Sequence, residues 1–225
     1  MTTQKKKPVE TKGKKAGVSR RKEQQRAIET RQAIIEAALL EFAERGFDGA
    51  SIRRIGERAG IDYTLITYHY KNKLALWQAV AEDSFVKIEA KWDEVAADPN
   101  MSAVERLRAE YRAFMEFTIE HSAFHRFMLS ENYQGSPRLA WLVENFLQKN
   151  QQRLLQQIQD AQSEGHLINE DPVLVHYLIL GMTSVFASLN GEMHAISGIS
   201  LTDRNAVDAY WNLVDRVAFG TRPTK

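Results

Sequence analysis

SIRRIGERAGIDYTLITYHY, residues 51–70, sets two short helices at a tight turn. Ser51 belongs to the residue types that cap helix N-termini, and a helical apolar pattern runs from it to about Ala59. Gly60, Ile61 and Asp62 make the turn, and Asp62 caps a second helix that runs to about Tyr70. Ile55, Ala59, Ile61 and Ile66 are apolar at the spacing that packs one short helix across another, while Gly56 and Gly60 stay small where backbones approach or turn. This is a helix-turn-helix pattern, whose second helix can enter a DNA major groove. Ile66 and Tyr70 are four residues apart and share a helix face. Ile66 belongs in the core and takes Tyr70 with it. The opposite face then carries Thr64, Leu65, Thr67, Tyr68 and Lys71. Hydroxyls, an aromatic ring and a cation suit phosphates and thymine methyls. His69 falls on the boundary between the two faces.

Helical periodicity continues on both sides, and alternating strand patterns are absent. Ile34, Ile35, Ala38, Leu39 and Phe42 form a helix that Gly46 stops. A long helix starts near Lys73 and ends at about Ala96, before Asp98-Pro99-Asn100. Ser102 and Glu105 have capping-box spacing. Ser136-Pro137 opens a helix that Gly165 ends, and Asp171-Pro172 opens the apolar stretch 173–189. Thr202 or Asp203 opens the last helix. The fold predicted is all-α, with about nine helices.

The chain has 225 residues, 44% of them hydrophobic, and a net charge of +1. That balance hides a polarity. Residues 1–73 hold 17 Lys and Arg against 9 Asp and Glu, a net +8. The remaining 13 basic and 20 acidic residues leave the rear at −7. A basic front suits a polyanion. The excess lies in residues 1–26, because 27–73 balance at 7 against 7. Residues 1–22 have almost nothing to bury and are expected to be a disordered basic tail. Cysteine is absent, so disulfide and thiolate chemistry is excluded and a reducing cytoplasm is permitted. No apolar stretch reaches about 18 residues, so no membrane span is expected.

TRQAIIEAALLEFAERGFDGAS (30–51) followed by IRRIGERAGIDYTLITYHYKNKLALWQAV (52–80) resembles the TetR family of repressors. The carrying features are Ala59-Gly60-Ile61-Asp62, Tyr68-His69-Tyr70, Lys73 and Leu76. Three positions depart from the family's habit: Tyr70 stands for Phe, Leu74 for a frequent Glu, and Thr67 for a frequent Tyr. The resemblance implies a homodimer with two recognition helices in successive major grooves of a pseudo-palindromic operator. It makes Arg53, Tyr63, Leu65 and Thr67 base-proximal, and Thr64, Tyr68, His69 and Lys73 phosphate contacts. Ser51 and Ile52 then touch the DNA backbone. It also implies domains over 23–73 and 74–225, the second binding effector and dimerising. The end of the chain, VAFGTRP, and the Asp171-Pro172 start are similar to a subgroup that includes the pyrimidine-utilisation repressor, with no pyrimidine ligand inferred.

The last two helices are the expected dimer faces, with Val207, Tyr210, Trp211, Val214, Val217 and Ala218 in one stripe and 173–189 apolar nearly all round. Phe114, Phe117, His121, Met128, Tyr133, Trp141, Phe146 and Tyr177 are candidates for a small-molecule effector pocket, although aromatics mostly fill cores. His121 and His125 have the i, i+4 spacing of a zinc or nickel pair, but no third ligand is specified and no metal or cofactor is assigned. Enzyme motifs (GxSxG, P-loop, HExxH, the dinucleotide-binding fingerprint, Glu-x-x-His) are missing. The reading reached is a ligand-responsive repressor that leaves its operator when an effector binds. A DNA-compacting protein without an effector, or a helical enzyme, is the alternative.

Overall fold

A computed structural model describes residues 12–220. Among them every regular element is helical: α1 (Lys12–Gly49), α2 (Ile52–Ala59), α3 (Tyr63–His69), α4 (Lys73–Val95), α5 (Ala103–Glu120), α6 (Ser122–Glu131), α7 (Pro137–Leu142), α8 (Gln148–Ser163), α9 (Pro172–Ser188), α10 (Asn190–Ser197) and α11 (Arg204–Phe219), with a π-helical turn, Val143–Leu147, joining α7 to α8. The caps explain most boundaries. Asp62 accepts from the Thr64 N–H at 2.8 Å, Ser102 and Glu105 close a capping box, and Ser136, Asp171 and Asp203 each accept from the first turn they precede. Asn72 caps α4 by accepting from the Ala75 N–H at 2.8 Å.

The structure departs from the expected layout at the start of α1, at His121 and after Ser188. The first eleven residues of the basic tail lie outside the described residues, but α1 is already helical from Lys12. Lys, Arg, Gln, Glu and Ala are good helix formers, and extending a helix nucleated downstream is far easier than starting one. The middle helix divides at His121 (φ −120°, ψ 56°) into α5 and α6. After Ser188 the chain bends by 60° into α10.

Gly46 interrupts α1 at φ 65°, ψ 176°, a conformation that L-residues avoid. Gly56 serves a different purpose. A Cβ there would stand 3.0 Å from the Ile61 carbonyl oxygen and 3.2 Å from the Tyr63 backbone, so α2 and α3 approach as closely as they do because the side chain is missing.

The core is one cluster running from Ile34 to Phe219. α6 packs along α1, and α5 lies against α4, α8 and α9. Phe42 of α1 meets Phe127 of α6 with ring centroids 6.4 Å apart, and Trp77 of α4 meets Phe127 at 5.2 Å. The helices on either side of residue 73 therefore share packing. Glu110 is fully buried in α5, where Arg153 (2.7 Å) and Gln157 (3.1 Å) of α8 donate to its carboxylate. Among the described residues no single helix is long and apolar enough to cross a membrane.

Tyr111 and His176 form a buried hydroxyl–imidazole pair at 2.7 Å between α5 and α9. Burial lowers the His176 pKa to about 4 and raises that of Tyr111. The unfolded chain binds a proton at His176 below about pH 6.5, whereas the folded protein resists it down to about 4. This pair's contribution is therefore complete above about pH 6.5 and lost as pH falls towards 4. Between pH 7 and 5 wild-type protein is expected to lose about 2 kcal/mol more stability than His176→Gln. Urea unfolding of both proteins at the two pH values checks this; parallel losses would remove His176 as the source.

Candidate nucleic-acid interface

α3 divides its side chains as its period requires. Ile66 is fully buried and Tyr70, at its C-cap, is 5% exposed. Tyr63, Leu65 and Tyr68 face outward, Tyr68 with 83% of its surface exposed. A monomeric soluble domain that needed this ring for packing would not leave it there. Thr64 and Thr67 are also exposed. His69 is half-buried, its ring 5.4 Å from Tyr68 and 6.4 Å from Tyr70. Arg31 of α1 places its guanidinium 5.8 Å from the Tyr70 ring centroid, tying α1 to the end of α3.

Polar groups inside the motif hold the outward set. The Thr64 hydroxyl donates to Asp62 at 2.6 Å and the Thr67 hydroxyl to the Thr64 carbonyl at 2.8 Å. The side-chain and backbone donors of Thr64 keep the Asp62 carboxyl below its ordinary range. Arg53 on α2 is exposed and pairs with Glu57 at 3.4 Å, a surface pair that costs little to open.

Ser51 stands at the N-cap of α2 without a side-chain capping bond. The buried carboxylate of Glu41 instead fixes the Ser51 backbone. It accepts from the Ser51 N–H at 3.2 Å and from Arg54 Nε at 2.6 Å. Arg54 also donates to the Gly49 carbonyl. Glu41, with Glu44 held by Arg58 at 2.7 and 3.1 Å, docks α2 on α1, and sequence reasoning passed over both. The available signal for Glu41 was a carboxylate on the helix face shared by Ala38 and Phe42.

Lys73, expected at a phosphate, is engaged within the protein. Its ammonium donates to the carbonyls of Ala50 (3.1 Å) and Asp48 (3.3 Å) and lies 4.7 Å from the Phe47 ring centroid. A half-buried cation engaged in this way ties the start of α4 to the end of α1.

The expected effector residues separate. Phe117, Phe146, Trp141 and His121 join a continuous aromatic network: Phe117 to His121 at 4.6 Å, Phe117 to Phe124 at 5.4 Å, and Trp141 to Phe146 at 5.5 Å. Phe85 stacks on Phe146 at 4.6 Å and 2°. Phe114 and Met128 pack partly buried against the same core. Tyr133 and Tyr177 are surface residues, each at least half exposed, and Tyr177 accepts from Gln151 at 3.4 Å. An open cavity of about 410 Å3 lies elsewhere, lined by Asp98, Arg108, Arg112 and Trp211 among others, and contains none of the expected residues. His121 and His125 are parted by the α5–α6 junction, and His125 Nδ1 meets the Ser188 hydroxyl at 2.7 Å. Among the described residues no group of three or more His, Cys, Asp or Glu could hold a metal ion.

Two family models match the chain. "Bacterial regulatory proteins, tetR family" covers residues 34–80 and "Tetracyclin repressor-like, C-terminal domain" covers 100–188. Similar proteins include the HTH-type transcriptional activator FasR of Mycolicibacterium smegmatis, 29% identical over 60% of this chain and 63% of that protein. They also include the HTH-type transcriptional repressor NicS of Pseudomonas putida, 28% identical over 81% of this chain and 87% of that one. The HTH-type transcriptional regulator RutR of Escherichia coli is 25% identical over 86% of this chain and 91% of its own. Two solved structures share the fold. SCO4942 from Streptomyces coelicolor aligns with a TM-score of 0.64 at 23% identity, over 86% of this chain and 99% of that one. The ketosteroid transcriptional regulator KstR2 of Mycobacterium tuberculosis aligns at 0.67 and 21%, over 84% and 94%. With both parts matched in order and the recognition helix turned outward, the chain belongs to the TetR family of bacterial transcriptional regulators.

Proposed function

We propose that the protein is a homodimeric repressor that releases a pseudo-palindromic operator when a small molecule enters its C-terminal helices. The observation that carries this reading is α3, with Ile66 and Tyr70 locked inward and Tyr63, Leu65, Thr67 and Tyr68 presented outward. In this reading Arg53, Tyr63, Leu65 and Thr67 meet base edges. Thr64, Tyr68 and His69 meet phosphates, and the Ser51 end of α2 approaches the backbone. Lys73 aligns α4. Residues 23–73 form the reading unit and 74–225 the sensing and dimerising unit, and the protein works in the cytoplasm without an enzymatic step.

The dimer surface needs one correction. Val207, Trp211, Val214 and Ala218 are buried in the protomer's own core. The large apolar groups left outside are Leu213 and Val217 on α11 and Val173, Leu174, Tyr177, Leu178 and Val185 on α9. A soluble monomer rarely leaves such a patch uncovered, and a second copy with the same patch matches it in chemistry and symmetry. The effector's place is the aromatic network of Phe117, His121, Trp141 and Phe146, which touches α4 through Trp77 and Trp141 at 5.9 Å. Its rings must part to admit a ligand. α4 has 23 residues, about 34 Å of lever between that network and α3. The ligand acts by its different affinity for the two arrangements.

Selection from randomised DNA tests the assignment. Wild type is expected to return one short inverted repeat. Thr67→Ala is expected to change the preferred base at fixed positions in each half-site, at about 1–3 kcal/mol per altered contact. Broad coating with no consensus would favour the compaction alternative instead.

A further inference from the structure

The α1 break at Gly46 leaves Phe47 in an unusual place. Arg138 of α7 lies with its guanidinium carbon 4.0 Å from the Phe47 ring centroid, and Lys73 of α4 lies 4.7 Å from it. Phe42 stacks on the same ring at 6.1 Å and 11°. One aromatic ring near the end of α1 is therefore held between two cations, Lys73 at the first residue of α4 and Arg138 of α7 in the sensing segment.

Arg138 does not sit there loosely. Its Nε lies 2.8 Å from Glu131 Oε1, with 13% of the arginine side chain and 1% of the glutamate exposed. The Ser136 hydroxyl donates to the other oxygen of Glu131 at 2.9 Å, and the same Ser136 caps α7. The carboxylate at the end of α6 is thus ion-paired with a planar cation that lies against a ring at the end of α1, a contact that guanidinium makes better than ammonium does. Four residues beyond Phe47 is Ser51, where α2 begins, so the ring's position sets the start of the helix-turn-helix. On the other side, Trp141 follows Arg138 by three residues on α7, one helical turn away. Trp141 belongs to the aromatic network assigned above to the effector.

We propose that Arg138 is the positioning residue that holds the helix-turn-helix unit at its operator spacing, acting through Phe47. The inference rests on the dimeric repressor reading. Arg138 contacts no base, so its loss leaves the half-site sequence alone and relaxes the distance between half-sites. Any shift of α7 that follows from opening the Trp141 network reaches α2 along this route.

The test uses full-length dimers and a library of inverted repeats with the wild-type half-site fixed and the spacer length varied. Arg138→Gln is expected to bind the wild-type operator about tenfold more weakly and to accept spacers at least one base pair longer or shorter, with the half-site unchanged in free selection. Arg138→Lys is expected to fall between the two. Phe47→Leu, which leaves the Arg138–Glu131 pair intact, is expected to broaden the spacer distribution equally, and the double variant no further. It decides the matter if Arg138→Gln fails to fold. A folded dimer of Phe47→Leu or Arg138→Gln with the wild-type spacer distribution overturns the assignment. A wild-type protein that selects single half-sites removes the dimeric reading first, and this one with it.

Discussion

Leu178→Glu is expected to give a folded monomer that no longer holds its operator at nanomolar concentration. Leu178 is 57% exposed in the protomer, so the substitution removes little from the protomer's own core. Its cost falls on the α9–α11 surface, where Leu174 and Val217 are exposed at 67% and 70%. A carboxylate in an apolar dimer contact loses its water without gaining a partner, and the two-fold axis doubles the penalty. Operator binding then loses the gain from two linked reading heads, a factor on the order of 10^2–10^4. Light scattering at micromolar concentration and anisotropy with operator DNA read the two effects. A variant that stays dimeric and binds as wild type places the interface elsewhere.

Deletion of residues 1–22 is the second large effect. These residues hold nine Lys and Arg against one acid, Glu10, and none of residues 21–33 is buried. The new start at Glu23 falls within an exposed stretch of α1, so folding is expected to survive. If three cations per protomer meet phosphate, the slope of log affinity against log salt flattens by about 5, at about 0.9 per contact. At low salt the affinity drops by about a hundredfold or more, while the selected sequence stays the same. Titrations across salt concentrations measure the slope. A changed consensus would show instead that this segment reads bases.

The reading helix was legible from sequence because its signals are local. Asp62 capping, the Gly60 turn and the four-residue relation of Ile66 to Tyr70 depend on the chain's own period, and each reappears in the fold. What escaped depends on how distant helices cross. α11 carries apolar residues on two sides, and periodicity alone cannot say which side meets the protomer and which a partner. Val207, Trp211, Val214 and Ala218 went inward, and Leu213 and Val217 stayed out. The anchoring of Lys73 was not legible, because nothing near it in sequence shows that the carbonyls of Asp48 and Ala50 will be within reach. The effector candidates, all aromatic except Met128, had little else in common, and their separation into core-packed residues and two surface tyrosines is a property of helix packing. The π-helical turn at 143–147 has no sequence mark that we recognise.

Phe42, Trp77 and Phe127 draw their rings from α1, α4 and α6, and that shared packing bears on how regulators of this kind can be recombined. A chimera cut at residue 73 would join two surfaces that were never shaped for each other, leaving Phe127 against a foreign α1. Grafting this sensing half onto another reading head calls for moving the ring-bearing faces of α1 and α6 together. The useful crossover lies between side chains, across a packed seam, and not at a peptide bond between domains.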